Sequence, residues 1–177
     1  MENGTKNGLA QAIKLLMSEK AFDKITIEEI CEKCGKNRKT FYYHFKDKYD
    51  LVNWIFNAEF QRIAQDRSYE TVTELMVDIC EYLYNNRSFY RKALYIEGQN
   101  SFSDHFREIL RAIIMNQLQD ILHVGPINEF QINFFTDSYV MSFQRWLVDY
   151  PNMGPMEFLN EIKTCIKYMA VGYPQIE

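Results

Sequence analysis

Glycine and proline are scarce in this chain, 7 and 4 among 177 residues, so little in the sequence interrupts a helix. The four cysteines, Cys31, Cys34, Cys80 and Cys165, do not make a disulfide framework for a chain of this size, and free thiols in a reducing compartment are expected. No apolar run approaches the roughly 18 residues that cross a bilayer. Met1 to Ala10 is too polar for the apolar core of a signal peptide, so the expected compartment is the cytoplasm, with no membrane partner. The three histidines, His44, His105 and His123, are scattered, with no H-E-x-x-H arrangement, nucleophile signature or Gly-rich phosphate loop near them. No enzyme, no cofactor and no metal site is expected. Cys31-x-x-Cys34 falls on the apolar stripe of a short helix without a second pair to complete a zinc site, so core packing is the expected role.

Apolar residues at 47% and charged residues at 25% are those of an ordinary globular chain that buries a sizeable core. The net charge of −4 hides a segregation: residues 1–48 carry ten basic residues against seven acids, and the remainder carries ten against seventeen. Within Lys33 to Lys48 there are six basic residues and one acid, a net of +5 that forms a local footprint for phosphate.

Almost every segment has helical periodicity, and strand-like runs bounded by Asn-Gly or Asp-Gly turns are absent, so the fold expected is all-α with about nine helices. Leu9, Ile13, Leu16 and Met17 share one stripe of a first helix ending near Lys20. Thr26 with Glu29 spells a capping box for a second helix, with the stripe Ile27, Ile30, Cys31 and Cys34, and Gly35 closes it. Asn37 caps a third helix anchored by Phe41 and Phe45, and a fourth starts at Asp47 to Asp50 and runs toward Ile63. Further helices are expected over Thr71 to Asn85, Phe89 to Glu97, Ser103 to Leu122, Asn128 to Val148 and Pro155 to Ala170, with breaks near Gly98, at Gly125-Pro126 and at Tyr150 to Pro155.

Two short helices joined at Gly35, the second basic and aromatic, have the layout of a helix-turn-helix DNA reader. With Phe41 and Phe45 inward, Lys39, Thr40 and Tyr43 face away and can enter a major groove. Arg38, Tyr42 and His44 flank the groove, positioned for phosphates. Lys48 and Thr26 each stand at a helix start, where free N–H groups favour an anion.

The segment from Thr26 to Lys48, above all TFYYHFKDK, resembles the DNA-binding segment of the TetR family of bacterial regulators. The resemblance is strong over about 50 residues. It implies backbone contacts from most of Thr26, Gly35, Thr40, Tyr42, Tyr43, His44 and Lys48, and two recognition helices on a near-palindromic double-stranded operator. It also implies a larger domain that responds to a small-molecule inducer or a protein coregulator, in a family whose members mostly repress and in a minority activate. Lys36, Asn37 and Lys39 depart from the family pattern. Asn37 can still cap, and Lys39 can donate to guanine O6 and N7 where a small residue cannot. Asn86 to Phe102, NRSFYRKALYIEGQNSF, more loosely resembles the carboxy-terminal domain of regulators of dihydroxyacetone kinase operons.

The resulting division is a reader over residues 1–48 and a regulatory and dimerisation domain over residues 49–177. A homodimer is expected through the two carboxy-terminal helices, by way of Ile132, Phe135, Tyr139, Phe143 and Trp146 with Ile162, Ile166 and Met169 or Ala170. Aromatics of the second half read as core or dimer contact, and no ligand contact is assigned. The rival reading is a helical adaptor that binds another protein and not DNA, against which Tyr42, Tyr43 and Lys48 argue.

Overall fold

In a computed structural model describing residues 2–66, 68–122 and 128–172, nine α-helices follow one another with no strand among the described residues. They are α1 (Glu2–Glu19), α2 (Ile27–Lys33), α3 (Arg38–His44), α4 (Lys48–Asp66), α5 (Val72–Asn85), α6 (Arg87–Ala93), α7 (Phe102–Leu122), α8 (Glu129–Asp149) and α9 (Pro155–Gly172). A single 3-10 turn, Phe22–Lys24, lies between α1 and α2 and has no signal in the apolar periodicity. The expected α6 is displaced: it starts at Arg87 and has ended by Leu94. Gly98 at φ +119 and Asn100 at φ +62 then turn the chain toward α7. A second feature favours glycine at 98, because a Cβ there would stand 3.1 Å from the Tyr49 hydroxyl. The expected break at Gly125-Pro126 lies outside the described residues.

The helices are held by a core that runs unbroken from Leu9 to Leu159. Over α1 to α3 and the residue that ends α3 it includes Leu9, Ile13, Met17, Ile30, Cys31, Phe41 and Phe45, while Leu51, Val52, Ile55 and Phe56 of α4 carry it into the second half. Phe56 meets Tyr90, Phe102 and Phe106 edge-on at centroid distances of 5.5 to 6.0 Å. The series continues through Phe106 to Phe143 at 5.2 Å, and Trp146 stacks on Phe158 at 4.3 Å. Such pairs contribute about 0.5–1.5 kcal/mol each beyond the area they bury. The Tyr82 and Tyr90 hydroxyls satisfy one another at 2.9 Å inside this cluster, and burial raises the Tyr82 phenol to about 12.

α8 corrects the sequence-based expectation. Ile132, Phe143 and Trp146 are buried in the chain's own core, with Phe135 and Tyr139 half-buried against it, so this stripe is not offered outward. The exposed apolar residues are Phe130, Phe134, Met141 and Val148, whose spacings of 4, 7 and 7 place them within about 40° on the opposite side of the helix. On α9, Ile162 packs inward and Ile166 borders a cavity shared with α5 and α7. The side chains of Met169 and Ala170 lie outside the described residues.

His105 on α7 provides a test of the packing. Its Nε2 lies 2.6 Å from Asn57 Oδ1 on α4, and burial holds the imidazole below its ordinary value of 6.5. The unfolded chain takes up a proton near that value that the folded chain resists, so the native state is at full stability above it and weakens as pH falls below it. Melting temperature followed from pH 7.5 to 5.5 should decline for the wild type, and the His105→Gln variant should decline less. An equal decline in both removes His105 as the cause.

Candidate nucleic-acid interface

Two helix starts set the geometry of the amino-terminal helices. Thr26 Oγ1 accepts from the Glu29 amide at 3.2 Å while the Glu29 carboxylate accepts from the Thr26 amide at 2.9 Å, so the capping box is complete. Lys20 pairs with the same carboxylate, and these donors hold it down at about 2. Lys33 reaches back to Glu19 at 2.6 Å, tying α2 to α1. α2 ends in a Schellman arrangement, with the Gly35 amide on Glu32 O at 3.1 Å and the Lys36 amide on Cys31 O at 2.9 Å. Gly35 sits at φ +66, the left-handed conformation this ending needs.

Asn37 then starts α3, its Oδ1 accepting from the Thr40 amide at 2.9 Å. Phe41 and Phe45, with centroids 5.9 Å apart, are both buried. Phe45 also packs edge-on against Trp54 of α4 at 5.6 Å, so α3 is fixed from one side only. On the other side Arg38, Lys39, Tyr42 and Tyr43 are exposed, Tyr43 at 77%. The Tyr42 phenol beside it holds the Arg38 guanidinium above its ordinary value. His44 is half-buried, its ring 4.8 Å from that of Tyr43. Thr40 is half-buried too, and its hydroxyl donates to Asn37 Oδ1 at 3.0 Å, so it faces outward less than the helical wheel suggests.

Lys48 departs from its expected solvent-facing place. Its ammonium donates to Phe22 O and Ile25 O at 2.8 Å each and to Asp23 O at 3.3 Å, with the Phe22 ring 4.5 Å beneath it. Burial lowers its pKa. All three of its protons are thus directed to carbonyls around the 3-10 turn. Lys36 and Lys46, which belong to the basic run but were not assigned as individual contacts, are exposed at the two ends of α3. The arrangement is a protruding helix with cations and phenols outward, shaped for a groove edged with phosphates. Cys31 is buried in the α2 core and Cys34 half-buried, and burial pushes both thiols up.

Residues 9–55 match the family described as bacterial regulatory proteins, tetR family, and residues 70–168 match the transcriptional regulator C-terminal region. The chain is 30% identical over 117 residues to the HTH-type dhaKLM operon transcriptional activator DhaS of Lactococcus lactis subsp. lactis, a match over 64% of this chain. That match spans 62% of the relative, less than two thirds of its length. Among solved structures, a TetR transcriptional regulator from Streptococcus agalactiae superposes with a TM-score of 0.74 at 22% identity, covering 93% of this chain and 94% of that one. A dihydroxyacetone kinase operon activator, DhaS, superposes with a TM-score of 0.60 at 20% identity, over 92% and 96% of the two chains. Both structural likenesses are of fold.

The cap at Asn37 has a measurable consequence. Asn37→Ala leaves the Thr40 amide of α3 without its acceptor and should lower unfolding stability by about 1 kcal/mol, while Asn37→Ser retains most of it. Chemical denaturation of the two variants checks this, and equal losses would show that the cap contributes nothing.

Proposed function

The chain belongs to the TetR family of bacterial regulatory proteins, DNA-binding transcription factors and not enzymes, and from that premise we propose that it binds a near-palindromic operator as a homodimer and answers to an effector. Residues 1–48 act as the reader and residues 49–177 as the regulatory and dimerisation part, in the cytoplasm where the DNA lies. The observation that carries this reading is the outward face of α3, where Arg38, Lys39, Tyr42 and Tyr43 are exposed on a helix anchored by two buried Phe side chains. Lys39 and Tyr43 take the groove, with Thr40 at its edge. Arg38, Tyr42, His44, Lys36 and Lys46 take phosphates, and the amides that start α2 beside Thr26 offer a further anion site. Lys48 serves this interface by holding the turn ahead of Thr26.

The exposed line Phe130, Phe134, Met141 and Val148 supports pairing of α8 with its copy across a two-fold axis, an apolar strip a lone chain leaves in water. Such a pair presents recognition helices to half-sites roughly 34 Å apart. The cavity among α5, α7, α8 and α9, lined by Met76, Ile113, Ile114, Tyr139, Leu159 and Ile162, holds about 70 Å³. Small-molecule sites run to about 300–1,000 Å³. A cleft of about 740 Å³ opens instead between the end of α1, Tyr49 and the end of α6, which favours an effector that engages from outside the helical core. The lactococcal relative is named an activator, which favours activation over the repression common in the family.

Fluorescence anisotropy on an operator selected from a random duplex library, over a salt series, tests the reader. Lys46→Ala should reduce the salt slope by about one unit, and Lys39→Ala should instead change sequence preference. Lys48→Met should weaken binding with the slope unchanged. A wild-type chain that selects no duplex defeats the DNA reading. For the dimer, light scattering should give about twice the chain mass of 21.2 kDa. Phe134→Asp with Met141→Asp should return the single-chain mass, and a wild-type mass near 21 kDa would defeat pairing.

A further inference from the structure

α1 and α8 share a deficiency: neither carries a basic residue in its last turn, where unpaired carbonyls and the negative end of the helix dipole call for one. In both cases the cation comes from α6. Lys92 Nζ donates to Met17 O at 2.5 Å and Ser18 O at 3.3 Å, at the end of α1. Arg87 Nε donates to Leu147 O at 2.6 Å, and its Nη1 to Pro151 O at 2.7 Å, at the end of α8. Five residues separate the two cations, which places them about 140° apart around α6 and about 7.5 Å apart along it. They therefore reach in different directions to two helices that are distant in sequence.

The attachments are doubled on each side. Lys14 of α1 lies over the Phe89 ring of α6 at 5.5 Å, and Gln144 of α8 donates to Leu94 O, at the end of α6, at 2.8 Å. Phe89, Tyr90 and Ala93 bury the body of α6 between these contacts. A seven-residue helix with so short an internal ladder is thus clamped at both ends by side chains that terminate other helices.

We propose that α6 is a two-ended strut, and that Lys92 and Arg87 are positioning residues that set the reader against α8. This rests on the reading of the chain as a dimeric operator binder paired through α8. In such a dimer one path from one recognition helix to the other runs through α1, Lys92, α6, Arg87 and α8, beside the apolar route through α4. Both half-sites are engaged at once only if that path holds each reader at a defined distance and angle. Removing the Lys92 ammonium leaves every DNA-facing side chain in place but loosens the path. The loss then falls on the second half-site and not on the first, because the effective concentration of the second reader drops.

The test uses the full chain with Lys92→Met, which keeps the stem and removes the ammonium, and Lys92→Arg, which restores a cation. On the palindromic duplex selected by the wild type, Lys92→Met should bind about tenfold more weakly, within the usual range of coupling between sites. Its affinity for a duplex with one half-site scrambled and its salt slope should stay unchanged, and Lys92→Arg should recover most of the loss. Wild-type affinity on the palindrome, or an equal loss on the scrambled duplex, overturns the proposal. If Lys92→Met does not fold, Lys92→Gln takes its place in the same measurements.

Hydrogen exchange without DNA separates the strut from the DNA reading. Lys92→Met should speed exchange of the amides in residues 16–25 and leave residues 147–153 as they are, while Arg87→Met should do the reverse. Unchanged exchange in both variants overturns the strut. A wild-type chain that selects no duplex sinks the operator reading alone and leaves exchange to decide the strut.

Discussion

Every helix leaves carbonyls at its end that need donors, and this chain satisfies many of them from far away in sequence. At the end of α1 the carbonyl of Leu15 accepts from the Ser18 hydroxyl and that of Leu16 from the Lys20 amide, while Met17 and Ser18 depend on Lys92, some 75 residues on. The carbonyls of the 3-10 turn depend on Lys48 of α4, and the last turn of α8 on Arg87 of α6. Part-buried carbonyls without donors are costly, so these three cations add to apolar packing in constraining the relative placement of α1, α4, α6 and α8. A solvated cation in any of these places would leave the helix ends free to shift.

The orientation of α2 and α3 follows. The 3-10 turn, pinned by Lys48, delivers the chain to Thr26 in the extended conformation a cap requires, and the capping box fixes the first turn of α2. The Schellman ending at Gly35 and the cap at Asn37 fix the angle into α3. Phe41 and Phe45 then decide which side of α3 faces out.

The parts legible in the sequence are those whose physics is local. Capping residues, the left-handed glycine and the i, i+4 Phe pair lie within a few residues of what they control, so α2 and α3 read correctly. Lys48 did not. Its position at a helix start and its place in the family pattern both pointed to phosphate, and the carbonyls it meets belong to a turn about 25 residues upstream. α8 shows a second kind of failure: periodicity shows that a helix has an apolar stripe, but α8 has two on opposite sides. Which one turns inward is settled by Phe106, Phe158 and the other rings that meet it. The shortened α6 was hidden for a related reason, since its ends are held by partners on α1 and α8 and not by caps of its own.

The core that runs from Leu9 through Phe56 to Leu159 bears on how such proteins can be recombined. A graft that moves α1 to α3 onto another regulator would part Met17 and Ser18 from Lys92, and Phe22 from Tyr49. Such a chimera would fold around mismatched helix ends. Substituting outward residues of α3 therefore disturbs less than swapping modules, and a productive crossover would lie beyond α8, with the strut and the helices it braces inherited together.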